Sequence, residues 1–255
     1  MDKTMSLTGK TILITRPLGR EGNLRGLIEQ AGGSVLHYPV FKIQAPSDLE
    51  VESLARIRDQ LHSFSMAIFI SATAVEQSQI YFPVLPEHLT IVSIGSKTTQ
   101  ALDMHNIQTD IEAAEHNTES LLRSPQLQAP KIQGQRILIF RGEGGRALLG
   151  DTLVRRGAQV RYVETYHRKI PPLPPLTEQQ INALDAVTIS SNEGLDNLVT
   201  LMEDPSLLID VPIIVPGERA ASLAKQHGFK VIVAAENATD EATFTALSKL
   251  LHPTD

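Results

Sequence analysis

The chain has no cysteine and no tryptophan, and aromatic residues fill only 4% of its 255 positions. Lack of cysteine excludes disulfides, thiolate catalysis, Cys-ligated zinc and iron–sulfur clusters, and makes a reducing compartment the simplest home. With so few aromatics, the core must be assembled mainly from Ile, Leu, Val and Ala. No apolar run approaches the ~18–20 residues of a membrane span, and the apolar stretch near the N-terminus is too short for a secretory signal. A soluble cytoplasmic protein is expected. Positive charge is scarce as well. The net charge is −6, with 10 Lys and Arg against 14 Asp and Glu in residues 1–125 and 13 against 15 in the rest. Neither half is a nucleic-acid module by composition, so an anionic partner must be held by local groups, not by a long-range field. Also missing are the nucleophile elbow G-x-S-x-G and the full Walker A run G-x-x-x-x-G-K-[ST].

What the chain does contain is itself, twice. Residues 10–41 (KTILITRPLGREGNLRGLIEQAGGSVLHYPVF) align without gaps on 135–166 (QRILIFRGEGGRALLGDTLVRRGAQVRYVETY). Ile12/Ile137, Leu13/Leu138, Ile14/Ile139, Arg16/Arg141, Gly19/Gly144, Gly32/Gly157 and Val35/Val160 are identical pairs. Each copy reads as a buried strand, a turn with Arg and Gly, an amphipathic helix, a glycine stop and another strand. Residues 66–81 similarly match 186–202, each a strand ending in Ile-Ser before a helix. Residues 90–122 match 211–244, with Gly95 against Gly217 and Lys97 against Arg219. Strands alternating with helices at this spacing predict βαβ units and parallel sheets, here in two related α/β lobes. The repeat alone suggests a cut near residue 125–130. The run Pro171-Pro172-Leu173-Pro174-Pro175 marks a loop or boundary.

Ligands of open parallel sheets bind beyond the carboxyl ends of the strands. The repeat predicts six strand-to-helix turns there, at 15–20, 71–74, 95–98, 141–146, 190–193 and 216–219. Each leads into a helix N-terminus, whose free N–H groups and partial positive charge suit an anion. Arg16, Arg20, Lys97, Arg141, Arg146 and Arg219 lie in or beside these turns. If the lobes face each other, the turns converge on one basic cleft. The plainer reading is that Ser and Thr at these strand ends cap helices and that the arginines are solvated or simply copied by duplication.

ILITRP, IFISATAV, SIGSKTTQAL and above all RGEGGRALLGDTLVRRGAQVRYVETYHR resemble uroporphyrinogen-III synthase, as does the C-terminal IIVPGERAASLAKQHGF. The resemblance covers nearly the whole chain. It implies two flavodoxin-like parallel-sheet lobes joined by a two-stranded connector, with the active site in the inter-lobe cleft. It also interleaves the lobes: 1–37 plus 171–255 form one, 43–163 the other, and 38–42 and 164–170 the connector strands.

The chemistry so implied is cyclisation of hydroxymethylbilane with loss of water and inversion of the last pyrrole ring through a spiro intermediate. No cofactor or metal is implied. The substrate is a polyanionic tetrapyrrole, and the protein is expected to act as a monomer, with room for a transient contact with the upstream enzyme. Its binding residues would be Arg16, Ser71, Ala72, Thr73, Ser96, Lys97, Thr98, Arg141, Gly142, Arg146, Ser190, Ser191, Gly217, Glu218 and Arg219. Tyr166 matches the family's tyrosine and is the expected proton donor, since a phenol is protonated at neutral pH. The alternative makes it a strand aromatic, matched by Phe41 in the first copy. The family's Thr-Thr pair after the C-terminal glycine is replaced by Glu218-Arg219-Ala220-Ala221, and His167 reads as a surface or connector residue.

Two other functions compete. Gly142-Glu143-Gly144-Gly145-Arg146-Ala147 has the form G-x-G-x-x-A after a strand, with Glu164 following at about the distance of a ribose-binding acid. That would suit a nicotinamide enzyme, although Arg141 interrupts the strand and the turn at 16–19 lacks the pattern. A non-enzymatic two-lobed module closing on an anion is the other.

Overall fold

A computed structural model describes residues 6–115, 117–145 and 147–251. Its first elements are β1 (Thr11–Ile14), α1 (Gly22–Gln30), β2 (Ser34–His37), β3 (Lys42–Gln44), α2 (Asp48–Arg58), β4 (Met66–Phe69) and α3 (Ala72–Tyr81). There follow β5 (Thr90–Ser93), α4 (Ser96–Met104), β6 (Ile111–Glu112), α5 (Thr118–Arg123), α6 (Ala129–Ile132), β7 (Arg136–Gly142) and α7 (Leu148–Arg155). The remainder is β8 (Gln159–Lys169), α8 (Glu178–Asn182), β9 (Ala186–Thr188), α9 (Asn192–Leu201), β10 (Ile213–Val215), α10 (Glu218–Gln226), β11 (Ile232–Ala234) and α11 (Asp240–Leu251).

The chain forms two α/β units, Met1–Lys42 with Lys169–Asp255, and Ile43–Arg168. The first holds a five-stranded sheet in the order β2-β1-β9-β10-β11, and the second a six-stranded sheet in the order β8-β7-β4-β5-β6 with β3 beside β8. Every pairing with a determined register is parallel. Replacing each strand by its repeat counterpart converts one order into the other. This is the 2-1-3-4-5 flavodoxin-like order, in which helices must cover both faces.

Why these segments are strands is plain from their burial. Ile-Ile-Val of β10 and Met-Ala-Ile-Phe of β4 are buried throughout, as central parallel strands require. Alternate side chains feed opposite layers: Ile12 and Ile14 enter one cluster and Leu13 the other. In the second unit Leu138 and Phe140 face one cluster, Ile137 and Ile139 the other. Phe69 stacks on Phe140 with ring centroids 4.5 Å apart. Truncating one of these large buried side chains to Ala costs about 2–5 kcal/mol.

The repeated glycines have a common physical role. Gly32 and Gly157, two residues beyond α1 and α7, have φ of 85° and 91°. That left-handed conformation ends a helix at low cost only for glycine. The strand near residue 40 differs from the expectation of 38–42, because β3 begins at Lys42. Tyr38, Val40 and Phe41 instead turn their side chains into the core of the first unit. The Tyr38 hydroxyl donates to the Pro174 carbonyl at 3.0 Å.

Candidate active site

In each sheet the strand order reverses at one point, between β1 and β9 and between β7 and β4. Turns at the carboxyl ends of those strands are the favoured ligand positions. In the second unit this point gathers Ser71, Gly142 and Tyr166.

A β-bulge aims Tyr166. Arg141 pairs with Glu164, but the next residue, Gly142, pairs with Tyr166, so Thr165 is the extra residue in β8. Without the bulge Tyr166 would follow Tyr162 and Glu164 onto their face of the sheet. With it Tyr166 joins Val163 in the opposite cluster. Bulges re-aim side chains in this way, often beside active sites. The Tyr166 residue is 1% exposed. Its hydroxyl lies 3.4 Å from Ser71 Oγ and 3.4 Å from Arg168 Nη2. Both distances exceed the usual hydrogen-bond range, so the phenol is loosely held. The Arg168 guanidinium is also 5.9 Å from the ring centroid. Arg168 escaped sequence reasoning, though Tyr-x-Arg on a strand places both side chains on one face.

Ser71 caps α3 by accepting the Ala74 N–H at 3.0 Å, and Ser191 caps α9 by accepting the Gly194 N–H at 3.0 Å. The cap reading therefore holds for both. It also makes Ser191, not Ser190, the counterpart of Ser71. Ser190, Ala72 and Thr73 are half-buried at their turns.

Three of the expected binding residues turn inward. Arg16 is folded back, 2.5 Å from Asp240 and donating to the Ala238 carbonyl at 3.2 Å. Arg141 is 5% exposed, donates from Nε to the Gly142 carbonyl at 3.1 Å and lies 3.8 Å from Glu164. Its guanidinium covers the Tyr162 ring at 4.8 Å. Thr98 is buried, whereas Ser96, Lys97, Glu218 and Arg219 are exposed. Arg146 lies outside the described residues. A nearby anionic partner explains each inward arginine: a charge leaving water needs a paired charge. Neither Asp240 nor Glu164 is close in sequence to the arginine it serves, so no local signal announced them.

The fingerprint-like loop has a packing explanation. A Cβ on Gly142 would stand 2.6 Å from the Tyr166 ring, and one on Gly145 would stand 2.6 Å from Arg141 Nη2. Glu164, the candidate ribose acid, lies beside Arg141. Both glycines and the acid serve the packing around Tyr166 and Arg141.

The Gly95 and Gly217 turns are alike in the two units. Each glycine is the N-cap residue, and neither α4 nor α10 has a side-chain cap. Thr99, one turn into α4, is instead hydrogen-bonded to Glu112 and, at 2.7 Å, to Ser93.

His167 is neither exposed nor an idle connector. It is 8% exposed, with Nδ1 2.7 Å from Glu143 Oε2 and Nε2 3.0 Å from Glu50 Oε2. Burial alone would lower its pKa, but the hydrogen bonds and charges of the two carboxylates outweigh this and raise it above the usual 6.5. The Glu50 carboxyl is held down to about 2, first by the Ser47 hydroxyl and N–H and then by His167.

The family model described as "Uroporphyrinogen-III synthase HemD" matches residues 22–245. The chain belongs to the uroporphyrinogen-III synthase family. It is 32% identical over 254 residues to the uroporphyrinogen-III synthase of Escherichia coli (strain K12), spanning 93% of this chain and 99% of that one. Two crystal structures share the fold. A mutant uroporphyrinogen III synthase from the extremely thermophilic bacterium Thermus thermophilus has TM-score 0.62 and 16% identity, covering 96% of this chain and 100% of that one. The Helicobacter pylori 26695 enzyme has TM-score 0.60 and 14% identity, covering 94% and 99%. Within this uroporphyrinogen-III synthase fold, the aromatic ending the first repeat copy is Phe41 and that ending the second is Tyr166. Both rings are buried against a serine-capped helix, Phe41 near Gly194 of α9 and Tyr166 near Ser71 of α3. The hydroxyl is what distinguishes the second copy.

Proposed function

We propose that this chain closes hydroxymethylbilane to uroporphyrinogen III, losing water and inverting the last pyrrole ring. Family membership across residues 22–245 carries the activity. For Tyr166, the supporting observation is a loosely held phenol at the carboxyl end of β8, between Ser71 and Arg168.

Protonation turns the hydroxymethyl group of the first ring into departing water, while the pyrrole nitrogen pushes electrons to form an azafulvene. The substituted carbon of the last ring attacks that electrophile and gives a spiro intermediate. Fragmentation and reclosure then invert the ring, and the proton lost from carbon at the end balances the one donated. No cofactor is consumed. In this reading Tyr166 Oη supplies the proton, and its long hydrogen bonds tighten when substrate is held.

The protein's larger task is to exclude the direct closure that gives the uninverted isomer, which is a matter of holding one conformation. The acetate and propionate groups would be held by the first-turn N–H groups of α4 and α10, with Lys97 and Arg219 exposed beside them. Ser96, Glu218 and the turns at 71–73 and 190–191 complete the proposed contacts. Arg16 and Arg141 are held inward at their own turns. No helix among the described residues is long and apolar enough to cross a membrane. A monomer in the cytoplasm, without cofactor, belongs to the same proposal and accords with a chain lacking cysteine.

The test is to supply hydroxymethylbilane and resolve the oxidised porphyrin isomers. Strong enrichment of isomer III over the enzyme-free control is expected. A mixture no richer in isomer III than that control removes the assignment.

A further inference from the structure

The imidazole of His167 is buried between two carboxylates from different elements. Glu50 lies in the first turn of α2 and Glu143 in the turn after β7. Each acidic residue is anchored independently, Glu50 through its carboxylate and Glu143 through its backbone. Glu50 Oε2 accepts the Ser47 N–H at 2.7 Å and the Ser47 hydroxyl at 2.6 Å. The Glu143 N–H donates to the Tyr166 carbonyl at 2.9 Å. His167 therefore ties α2, the bulged end of β8 and the glycine-rich turn to one another. Tyr166, its neighbour, beds its ring on Gly142 of that same turn.

An ionised carboxylate only accepts, and a neutral imidazole has a single N–H to donate. Serving both acids at once requires the imidazolium. Among the described residues, Glu50 from α2 and Glu143 from the turn are the charged groups that meet the ring. On its own strand, the following Arg168 directs Nη2 to the Tyr166 hydroxyl instead.

We propose that His167 is a positioning residue for the cyclisation, holding the glycine-rich turn and α2 so that the Tyr166 hydroxyl is aligned with the leaving group. This rests on the uroporphyrinogen-III synthase reading and adds a residue to it. When the imidazole loses its proton, one carboxylate loses its donor and the turn under Tyr166 is released. The raised pKa of His167 puts that release above the ordinary imidazole range.

The experiment compares the full-length protein with His167→Leu, His167→Gln, Tyr166→Phe and the Tyr166→Phe/His167→Leu double variant, over a pH series with hydroxymethylbilane. His167→Leu is expected to lower kcat by about tenfold, with KM within about twofold, as misplacement of a reacting group does. His167→Gln should recover part of the loss and lack the fall in kcat with rising pH that is expected of the unmodified enzyme. In the Tyr166→Phe background, His167→Leu should cost less than about twofold, because coupled residues are not additive. An undiminished kcat per folded molecule, or the full tenfold loss again without the phenol, overturns the proposal. If His167→Leu does not fold, Glu143→Gln cuts the clamp at its exposed end and gives the same comparison. An unmodified chain that makes no excess of isomer III fails as a synthase. An active chain indifferent to these substitutions fails only for His167.

Discussion

The ring of Tyr166 rests on the backbone of Gly142, so closely that a Cβ at 142 would stand 2.6 Å from both Cε2 and Cζ. The two residues are also register partners across the bulge. A glycine that resembles part of a phosphate cradle is thus the floor beneath a phenol.

Gly142→Ala must therefore move the ring or the strand. Overpacking of this kind costs about 1–3 kcal/mol, which lowers the melting temperature by a few degrees in a chain of this size, at roughly 2–4 °C per kcal/mol. Activity should fall by more, on the order of tenfold, since the hydroxyl moves with the ring. Thermal melts and steady-state rates with hydroxymethylbilane check this. A shifted melt with unchanged kcat would separate the packing of Tyr166 from the chemistry.

Tyr166→Phe removes an oxygen whose two contacts are both 3.4 Å long, so little stability should go with it. Phe41 already shows that the ring alone packs in the equivalent place. The rate should fall more than about tenfold, as loss of a general acid does. Turnover equal to that of the unmodified protein would take the phenol out of the mechanism.

Arg16→Gln should act on stability. The Arg16 and Asp240 side chains are only 14% and 9% exposed, and the variant leaves a carboxylate without its cation. Breaking such a pair costs about 3 kcal/mol, whereas replacing both partners by apolar residues is close to neutral. Urea unfolding of Arg16→Gln and of the Arg16→Met/Asp240→Leu pair measures the contrast. If Arg16→Gln raises KM at unchanged stability, the arginine reaches substrate after all.

The clamp around His167 gives stability a pH window. The Glu50 carboxyl is held at about 2, so its contribution is complete above the ordinary carboxylate range and disappears as pH falls toward 2. The pKa of His167 is raised, so its contribution is complete below 6.5 and disappears as pH rises through the higher folded value. The urea midpoint of the unmodified protein should exceed that of His167→Gln at about pH 6, and the gap should close in alkali. A gap that stays constant from acid to alkali would show that the charge on the imidazole stabilises nothing.

The architecture was legible because its signals are local. Short aliphatic runs, glycines just beyond helices and serines at strand ends each specify a short piece of backbone, and duplication wrote them twice. The repeat even supplied the strand equivalences that the two sheets share. The destinations of long side chains were not legible. Arg16 meets Asp240 and Ala238, and His167 meets Glu50, across separations of more than a hundred residues. The bulge was hidden as well. A gapless alignment of 10–41 with 135–166 pairs Phe41 with Tyr166 but cannot show that Thr165 drops out of the ladder, because β2 ends at His37 while β8 runs on to Lys169. An arginine beside a turn usually faces solvent, and Arg16 and Arg141 depart from that where an acid from a distant stretch of chain lies beside them.

The unpaired Thr165 is a residue the ladder does not count. Removing it would restore an unbroken ladder and leave the phenol on the face of Val163, still opposite Gly142. Adding a residue, with a single bulge kept, would carry the ring through the sheet to the side where Tyr162 packs. Over this stretch the chain can lose its bulge but cannot gain a residue, so variation among working copies of β8 should consist of substitutions or loss of the bulge residue and never of single-residue insertions.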